Sequence, residues 1–298
     1  MSISVVIPAY NAAGFIAQTL ESVLAQTPPP DEVLVIDDGS TDATAEVAEG
    51  FGAQVRVIRR PRARQAAARN FGVQEAAGEW VAFVDADDLW EPDKLARQME
   101  ALARSPAASL CYTARREFVE HGGAIERLNV VPVPAPEGIR EALFRNTTFL
   151  PSSVVIQRAA FLAAGGFDTE FKIVEDWDLW LRLLHSGVAF AACPEPLLLY
   201  RIHPDSVSHD AMLALAEAKD IYRRRVLPHI PRVKRWFARQ RSQSGQEAAA
   251  AFALRRVGGS RYLSMMAVSI LRDPFCQPHR YKVLAHMVYT RLRQAVAR

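Results

Sequence analysis

Three carboxylates fall within four residues at Asp85-Ala86-Asp87-Asp88, directly after the apolar run Val81-Ala82-Phe83-Val84. A run without alternation reads as a parallel strand buried on both faces. The carboxylates therefore collect at a strand's carboxyl end, which is where open α/β sheets bind their ligands. Like charges held this close are costly unless a cation or hydrogen-bond donors neutralise them. Hard oxygen ligands in an Asp-x-Asp spacing suit Mg2+ or Mn2+, which take one or two protein carboxylates and fill the shell with water and phosphate oxygens. The plain alternative is a capped turn, with Asp88 and Asp93 serving the helix that Pro92 begins.

Two further acidic groups accompany this one. Asp37-Asp38-Gly39-Ser40-Thr41-Asp42 follows the apolar strand Glu32 to Ile36, and can turn the chain and cap a helix. Glu175-Asp176 opens an amphipathic helical segment reaching Leu183, where acidic side chains also complement the helix dipole at about 0.3–1 kcal/mol each. Between them lie Arg59, Arg60, Arg62 and Arg64, whose planar forks suit phosphate. Arg201 stands near the end of a late strand, Leu197 to Ile202, and His203 follows it.

The elements that must position these groups read as an α/β fold. Ser2 to Ile7 is the first strand and Pro8 to Asn11 its turn, with Asn11 capping a helix that shows Phe15, Ile16, Leu20, Val23 and Leu24 on one face. The Asp37–Asp42 segment starts a second helix, to about Glu49. A third strand spans Val55 to Ile58, and a helix from about Gln65 to Ala77, ended by Gly78, carries Arg69 and Asn70. Three βα units in succession predict a mostly parallel, doubly wound, Rossmann-like sheet. Right-handed crossovers place the ends of its first, second and fourth strands on one rim.

Farther along, Ala108 to Thr113 reads as a strand. Arg116 to Val119 and Ala124 to Val130 form a hairpin about His121-Gly122-Gly123, without a clean two-residue turn. Val131 to Gly138, with three prolines, is an extended connector or a lid. Ser153 to Gln157 resumes strand character. Beyond Asp210 the chain turns to Ala-, Arg- and Leu-rich helical patterns, so residues 1–210 and 211–298 read as a catalytic domain and a helical extension.

Charge divides the same way. Residues 211–298 hold 18 Lys and Arg against four Asp and Glu, a net +14, whereas the whole chain is only +3. The three cysteines, Cys111, Cys193 and Cys276, lack C-x-x-C spacing, which argues against a disulfide framework or structural zinc and fits a reducing cytosol. The amino terminus reaches Pro8 without a basic region, unlike a signal peptide. No uncharged apolar stretch approaches the roughly 18 residues of a membrane span.

Taken in order, Val6-Ile7-Pro8-Ala9-Tyr10-Asn11, Asp37 to Asp42, Ala68-Arg69-Asn70 with Gly78-Glu79, Asp85 to Asp88, Gly165-Gly166-Phe167-Asp168, Glu175-Asp176 and Tyr200-Arg201 with His203 resemble the inverting family 2 glycosyltransferases, nucleotide-sugar enzymes of the GT-A fold. The resemblance covers roughly residues 1–210. It implies a donor site built from Pro8, Tyr10, Asn11, Asp38, Arg64, Asn70, Asp85, Ala86 and Arg201. Within it, Tyr10 lies against the nucleobase, Asp38 accepts from a base N–H, and Asp85 serves the ribose. Asn70 has helix packing as its plain alternative, and Arg201 pairing with a core carboxylate. The resemblance further implies Mn2+ or Mg2+ at Asp87, with His203 as a second metal or diphosphate contact. Asp176 becomes the general base that takes the acceptor's proton, and Glu175 fixes it or reads the acceptor. Trp177 and Trp180 read as packing.

The partners implied are a nucleoside diphosphate sugar and a glycan or lipid-linked acceptor. A catalytically inactive nucleotide-sugar-binding scaffold and a sugar nucleotidyltransferase are the alternatives. Neither G-x-G-x-x-G nor a P-loop occurs. The basic extension reads as attachment to an anionic membrane face, or as a bundle packing on the acidic part; nucleic acid is not expected, since no recognition motif accompanies the charge. The expected location is cytoplasmic, peripheral on the inner face of the cytoplasmic membrane. A homo-oligomer stays open.

Overall fold

The computed structural model describes residues 1–203, 210–256, 261–273, 284–285 and 287–288. The chain divides into two compact units, Met1–Ala142 with Thr147–His203, and Leu143–Asn146 with Pro204–Arg298. The first is built on strands β1 (Ile3–Ala9), β2 (Glu32–Asp37), β3 (Arg56–Arg59), β4 (Trp80–Phe83), β5 (Leu89–Trp90), β6 (Ala108–His121), β7 (Ala124–Val131), β8 (Val154–Gln157) and β9 (Ala189–Arg201). They form one sheet in the order β3-β2-β1-β4-β8-β6-β9-β5, with β7 paired to β6. The half from β3 to β4 is parallel throughout. The other half is mixed, because β8 runs antiparallel to both β4 and β6 while β9 runs parallel to β6.

Helices α1 (Ile16–Leu24), α2 (Thr44–Glu49), α3 (Arg64–Glu75) and α4 (Lys94–Arg104) connect the strands, followed by α5 (Ile139–Leu143), α6 (Arg158–Ala163) and α7 (Glu175–His185). The apolar stripe of α1 buries Ile16, Leu20 and Val23 in the same core as Val5, Ile7, Val33 and Val35. α3 packs differently, through small residues. A Cβ on its Gly72 would stand 2.4 Å from Val6 Cγ1, so glycine is what lets this helix lie close on the sheet. That close seating fixes the helix whose Gln65, Arg69 and Asn70 make polar contacts with other segments.

Several expectations are corrected. β1 runs through Pro8, which is a buried strand residue paired with Ile36 rather than the start of a turn. The β1–β4 pairing ends at Val6, so no ladder bond on that side needs an N–H from Pro8. Asn11 does not cap α1; its Oδ1 accepts from the Thr41 N–H at 2.8 Å. Neither Asp88 nor Asp93 caps α4, since no side-chain cap bond occurs there and Asp93 pairs instead with Arg97.

The strand expected at Ala108 to Thr113 and the first arm of the hairpin are one strand, β6. Register shifts beside Thr113 and Ala114 interrupt its alternation, which hides the continuity from a period-two reading. Its turn is a two-residue one after all: His121 pairs with Ala124 across Gly122 and Gly123, both at positive φ, as a type I′ turn requires. Asp42 accepts from Thr44 N–H at 3.0 Å, the Asx-turn its position suggests.

In the second unit α8 (Ala211–Ile221) starts under an Asp210 cap, which accepts from Leu213 N–H at 2.9 Å. A π-helical turn, Tyr222–Val226, follows it. α9 (Arg235–Arg256) and α10 (Tyr262–Arg272) bury Ala248, Ala251, Met266 and Ile270 between them, with Arg272 on Glu247 at 2.8 Å. Among the described residues no helix is long and apolar enough to cross a membrane. Cys111 and Cys193 are free and buried, and Cys276 lies outside the described residues.

Candidate active site

The parallel half of the sheet delivers its strand ends to one rim, as three βα units require. At the end of β2, Asp37 Oδ1 accepts from Ser40 N–H at 3.3 Å, holding the turn. Asp38 is 3% exposed, and its two oxygens accept from the N–H groups of Ala63 at 2.9 Å and Arg64 at 2.6 Å, so it anchors the first turn of α3. A carboxylate keeps further lone pairs after such contacts. At the end of β1, Tyr10 is exposed, with the Arg62 guanidinium 3.3 Å from its ring centroid. The two non-glycine residues at positive φ among the described residues are Asn11 and Arg64, both on this rim. Backbone strain of that kind is retained where the surroundings enforce it, often at sites of function.

The turn after β4 is held from several sides. Asp85 N–H donates to Ser152 Oγ at 3.0 Å, and Asp88 N–H to Asp85 O at 3.1 Å. The Thr19 hydroxyl lies 2.9 Å from both the Ala86 and Asp88 carbonyl oxygens. Arg201 is 2% exposed and donates from Nε to Asp87 O at 2.7 Å, from Nη2 to Gln18 Oε1 at 2.6 Å and from Nη1 to Glu120. Its guanidinium is thus committed to a carboxylate and to the turn, the pairing role rather than an open phosphate contact. Asp88 takes the Arg201 N–H at 3.1 Å, and burial, then Asp87 and Asp85, push its pKa well up.

Asp87 remains available. It is 31% exposed at its side chain, and its Oδ2 faces His203 Nε2 at 2.8 Å. The donor set fits a hard divalent cation. Two ligands at about 2.1 Å in adjacent octahedral positions stand about 3 Å apart, so a carboxylate oxygen and an imidazole nitrogen at this separation can serve one ion. Among the described residues no three His, Cys, Asp or Glu side chains converge. Asp87 and His203 would therefore share the ion with water and phosphate oxygens, as Mg2+ commonly is.

The third group is buried. Glu175 Oε1 accepts from Gln65 Nε2 at 2.9 Å and from Arg69 at 2.7 Å. Its Oε2 has no hydrogen-bond partner among the described residues, and burial raises its pKa. Asp176 is 5% exposed, accepts from Trp177 N–H at 2.6 Å and from Thr147 Oγ1 at 3.2 Å, and is pushed up to about 7 by burial and by the neighbouring Glu175 charge. A carboxyl group with that pKa exchanges a proton near neutral pH.

α3 ties the three groups together. Its first turn is fixed by Asp38, Gln65 reaches Glu175, and Arg69 spans Glu175 with one nitrogen and Asp85 with the other at 2.5 Å. Asn70 uses both ends of its amide on the Phe167 backbone, at 2.8 Å each, which holds the Gly165-Gly166-Phe167 turn and is the packing role. Arg69, Gln65 and Thr147 were not among the expected site residues. A signal for the first two was present: Gln65 and Arg69 stand four apart, on one face of a helix with few large apolar side chains. Trp177 and Trp180 are fully buried packing.

The sequence model of glycosyl transferase family 2 matches residues 4–163, more than half of the chain. Succinoglycan biosynthesis protein ExoO of Rhizobium meliloti (strain 1021) is 32% identical over 316 residues, covering 99% of this chain and 87% of that protein. Amylovoran biosynthesis glycosyltransferase AmsB of Erwinia amylovora is 31% identical over 211 residues, covering 68% of this chain and 70% of that protein. Among solved structures, mannosyltransferase PcManGT from Pyrobaculum calidifontis, in complex with GDP-Man and Mn2+, is similar at a TM-score of 0.60 and 19% identity over 96% of this chain and 84% of that one, which shows the shared GT-A fold. With strand ends, acidic groups and sequence match all in agreement, the chain is a glycosyltransferase and belongs to glycosyl transferase family 2.

Proposed function

We propose that the protein transfers a sugar, with inversion and with help from a divalent cation, from a nucleoside diphosphate sugar to a glycan or lipid-linked acceptor in the assembly of a polysaccharide. The observation that carries this reading is the Arg69 fork, which holds a solvent-facing carboxylate, Asp85, on one arm and a buried one, Glu175 beside Asp176, on the other. Glycosyl transfer by single displacement asks for both environments: one that receives a charged diphosphate and one that takes up a proton. The names of ExoO and AmsB, both polysaccharide biosynthesis proteins, support the acceptor class.

In this reading the acceptor hydroxyl gives its proton to the Asp176 carboxylate. Its oxygen forms the new bond to the anomeric carbon as the bond from that carbon to the diphosphate oxygen breaks, and the nucleoside diphosphate leaves. One attack on one face inverts the centre. When bound at Asp87 and His203, Mn2+ or Mg2+ offsets the charge gathering on the departing diphosphate. Asp85 holds the ribose, Tyr10 stacks on the base, and Asp38, Asn11 and Arg64 shape the pocket between them. Arg69 positions Asp85 and Glu175 without itself meeting the substrate, and Arg201 keeps the Asp87 turn in place.

Calorimetric titration of the whole protein with UDP, GDP and dTDP, each with Mn2+ and then with excess chelator, tests this. The expected result is binding of one nucleotide, strengthened by Mn2+. Absence of binding by all three to folded protein would overturn the donor site. Binding that chelator leaves unchanged would remove the cation from Asp87 and His203.

A further inference from the structure

We infer that the start of α9 and the turn preceding it dock the protein on an anionic lipid surface. Between Asp220 and Glu247 the sequence has eight Lys and Arg and no Asp or Glu. Within that stretch Trp236 is 64% and Phe237 70% exposed, their rings packed edge to face with centroids 4.9 Å apart, and Val233 is 85% exposed. Arg232, Lys234 and Arg239 flank them and are exposed as well. Arg235 turns its guanidinium onto the backbone carbonyls of Ile230 and Pro228, both neutral acceptors.

An apolar cluster ringed by cations matches the boundary of a bilayer with anionic headgroups. Trp settles at the headgroup level and Phe and Val meet acyl chain, while Lys and Arg meet lipid phosphate over a range of about one Debye length. A nucleic acid would satisfy the cations and could stack on Trp236, but it offers nothing apolar to Val233. The contact proposed is a peripheral one, made by this surface alone. Docking of this kind does not depend on the transfer reaction or on the bound cation.

The structure also supplies the reporter. Of the five tryptophans, Trp80, Trp90, Trp177 and Trp180 are buried at 5%, 3%, 0% and 0% exposure, so only Trp236 meets water. The full chain, without donor or metal, is mixed with vesicles of phosphatidylglycerol and phosphatidylcholine, and separately with phosphatidylcholine alone. Sedimentation with the anionic vesicles, a blue shift in emission and loss of acrylamide quenching are the expected results, each weakened by high salt. Arg232→Ala with Lys234→Ala should weaken vesicle binding about tenfold or more. Trp236→Ala with Phe237→Ala, at exposed positions and with an unchanged circular dichroism spectrum as the control for folding, should weaken it at least as much.

Three outcomes would overturn the proposal: equal binding to neutral and anionic vesicles, no binding to either, or full binding by the Trp236→Ala, Phe237→Ala variant. A mixed-sequence oligonucleotide that produces the blue shift while anionic vesicles do not would assign the surface to nucleic acid instead.

Discussion

Asp85 and Asp87 on one side, and Glu175 and Asp176 on the other, carry the same functional group in two different solvents. The first pair sits in a turn with about a third of each side chain open, at 30% and 31%, while the second lies at the start of α7 with 2% and 5%. Water and a single guanidinium arm stabilise charge on the first. Burial opposes it on the second, where Glu175 has one oxygen without a partner among the described residues and Asp176 rises to about 7. Residue type therefore does not separate the two roles proposed for these carboxylates; solvent access does. Arg69, at 1% exposure, touches both sides, with one arm on Asp85 and the other on Glu175.

Cutting that link should have the largest effect. Arg69→Met leaves Glu175 buried without its cation, and losing one partner of a buried ion pair costs about 3–5 kcal/mol. Urea denaturation is expected to show a loss of that order together with collapse of transfer activity; a variant within about 1 kcal/mol of the parent would show that the fork is not structural. Asp176→Asn tests only the buried side. Transfer should fall by about 10²- to 10⁴-fold, the usual worth of a general base, while nucleotide binding by calorimetry stays as it was. Retained turnover would move the base role elsewhere.

The raised pKa gives a smaller and independent handle. As base, Asp176 must be ionised, so kcat/KM should fall tenfold per unit below about pH 7 and level off above it. The same group acts on stability with a fixed sign. Unfolded, its pKa returns to about 3.9, so between that value and about 7 the folded protein holds a proton that the unfolded chain has released. This contribution is complete below pH 4 and is lost as the pH rises through 7. Asp176→Asn should accordingly gain stability relative to the parent as the pH increases across that window, by a few kcal/mol in order of magnitude. A difference between the two proteins that does not change with pH would show Asp176 to be ionised throughout.

Much of this was legible in the sequence because strand ends and acidic groups coincide. Uniform apolar runs ending in Asp37-Asp38 and Asp85-Ala86-Asp87 identify both the parallel half of the sheet and the rim proposed to bind the donor. The mixed half was less legible: bulges beside Thr113 and Ala114 break the alternation of β6, so one long strand reads as two short ones. In the site, motifs locate carboxylates but not their partners. That Arg201 closes on Glu120, and that Asn70 is spent on Phe167, depends on contacts between residues 81 and 97 positions apart, which no local pattern encodes. Arg69 is the clearest case, since a helical arginine is ordinarily a solvated one and only the sheet beneath α3 makes it the centre.

The smallest expected effect lies on the exposed side, at Tyr10. A stacked base is worth about 1–3 kcal/mol, but the ring already carries the Arg62 guanidinium at 3.3 Å, and an exposed cation–π contact is worth about 0.5–1 kcal/mol. Tyr10→Ala should therefore weaken nucleotide binding by the difference, about tenfold at the middle of these ranges, and leave kcat unchanged, because the stacking is equal in ground and transition states. Arg62→Ala then decides how the base arrives. If the guanidinium must leave the ring to admit it, the variant binds nucleotide more tightly than the parent; if the base completes a sandwich over both, it binds more weakly. A change in kcat from either substitution would contradict the division between an open donor rim, which sets affinity, and a buried carboxylate, which sets rate.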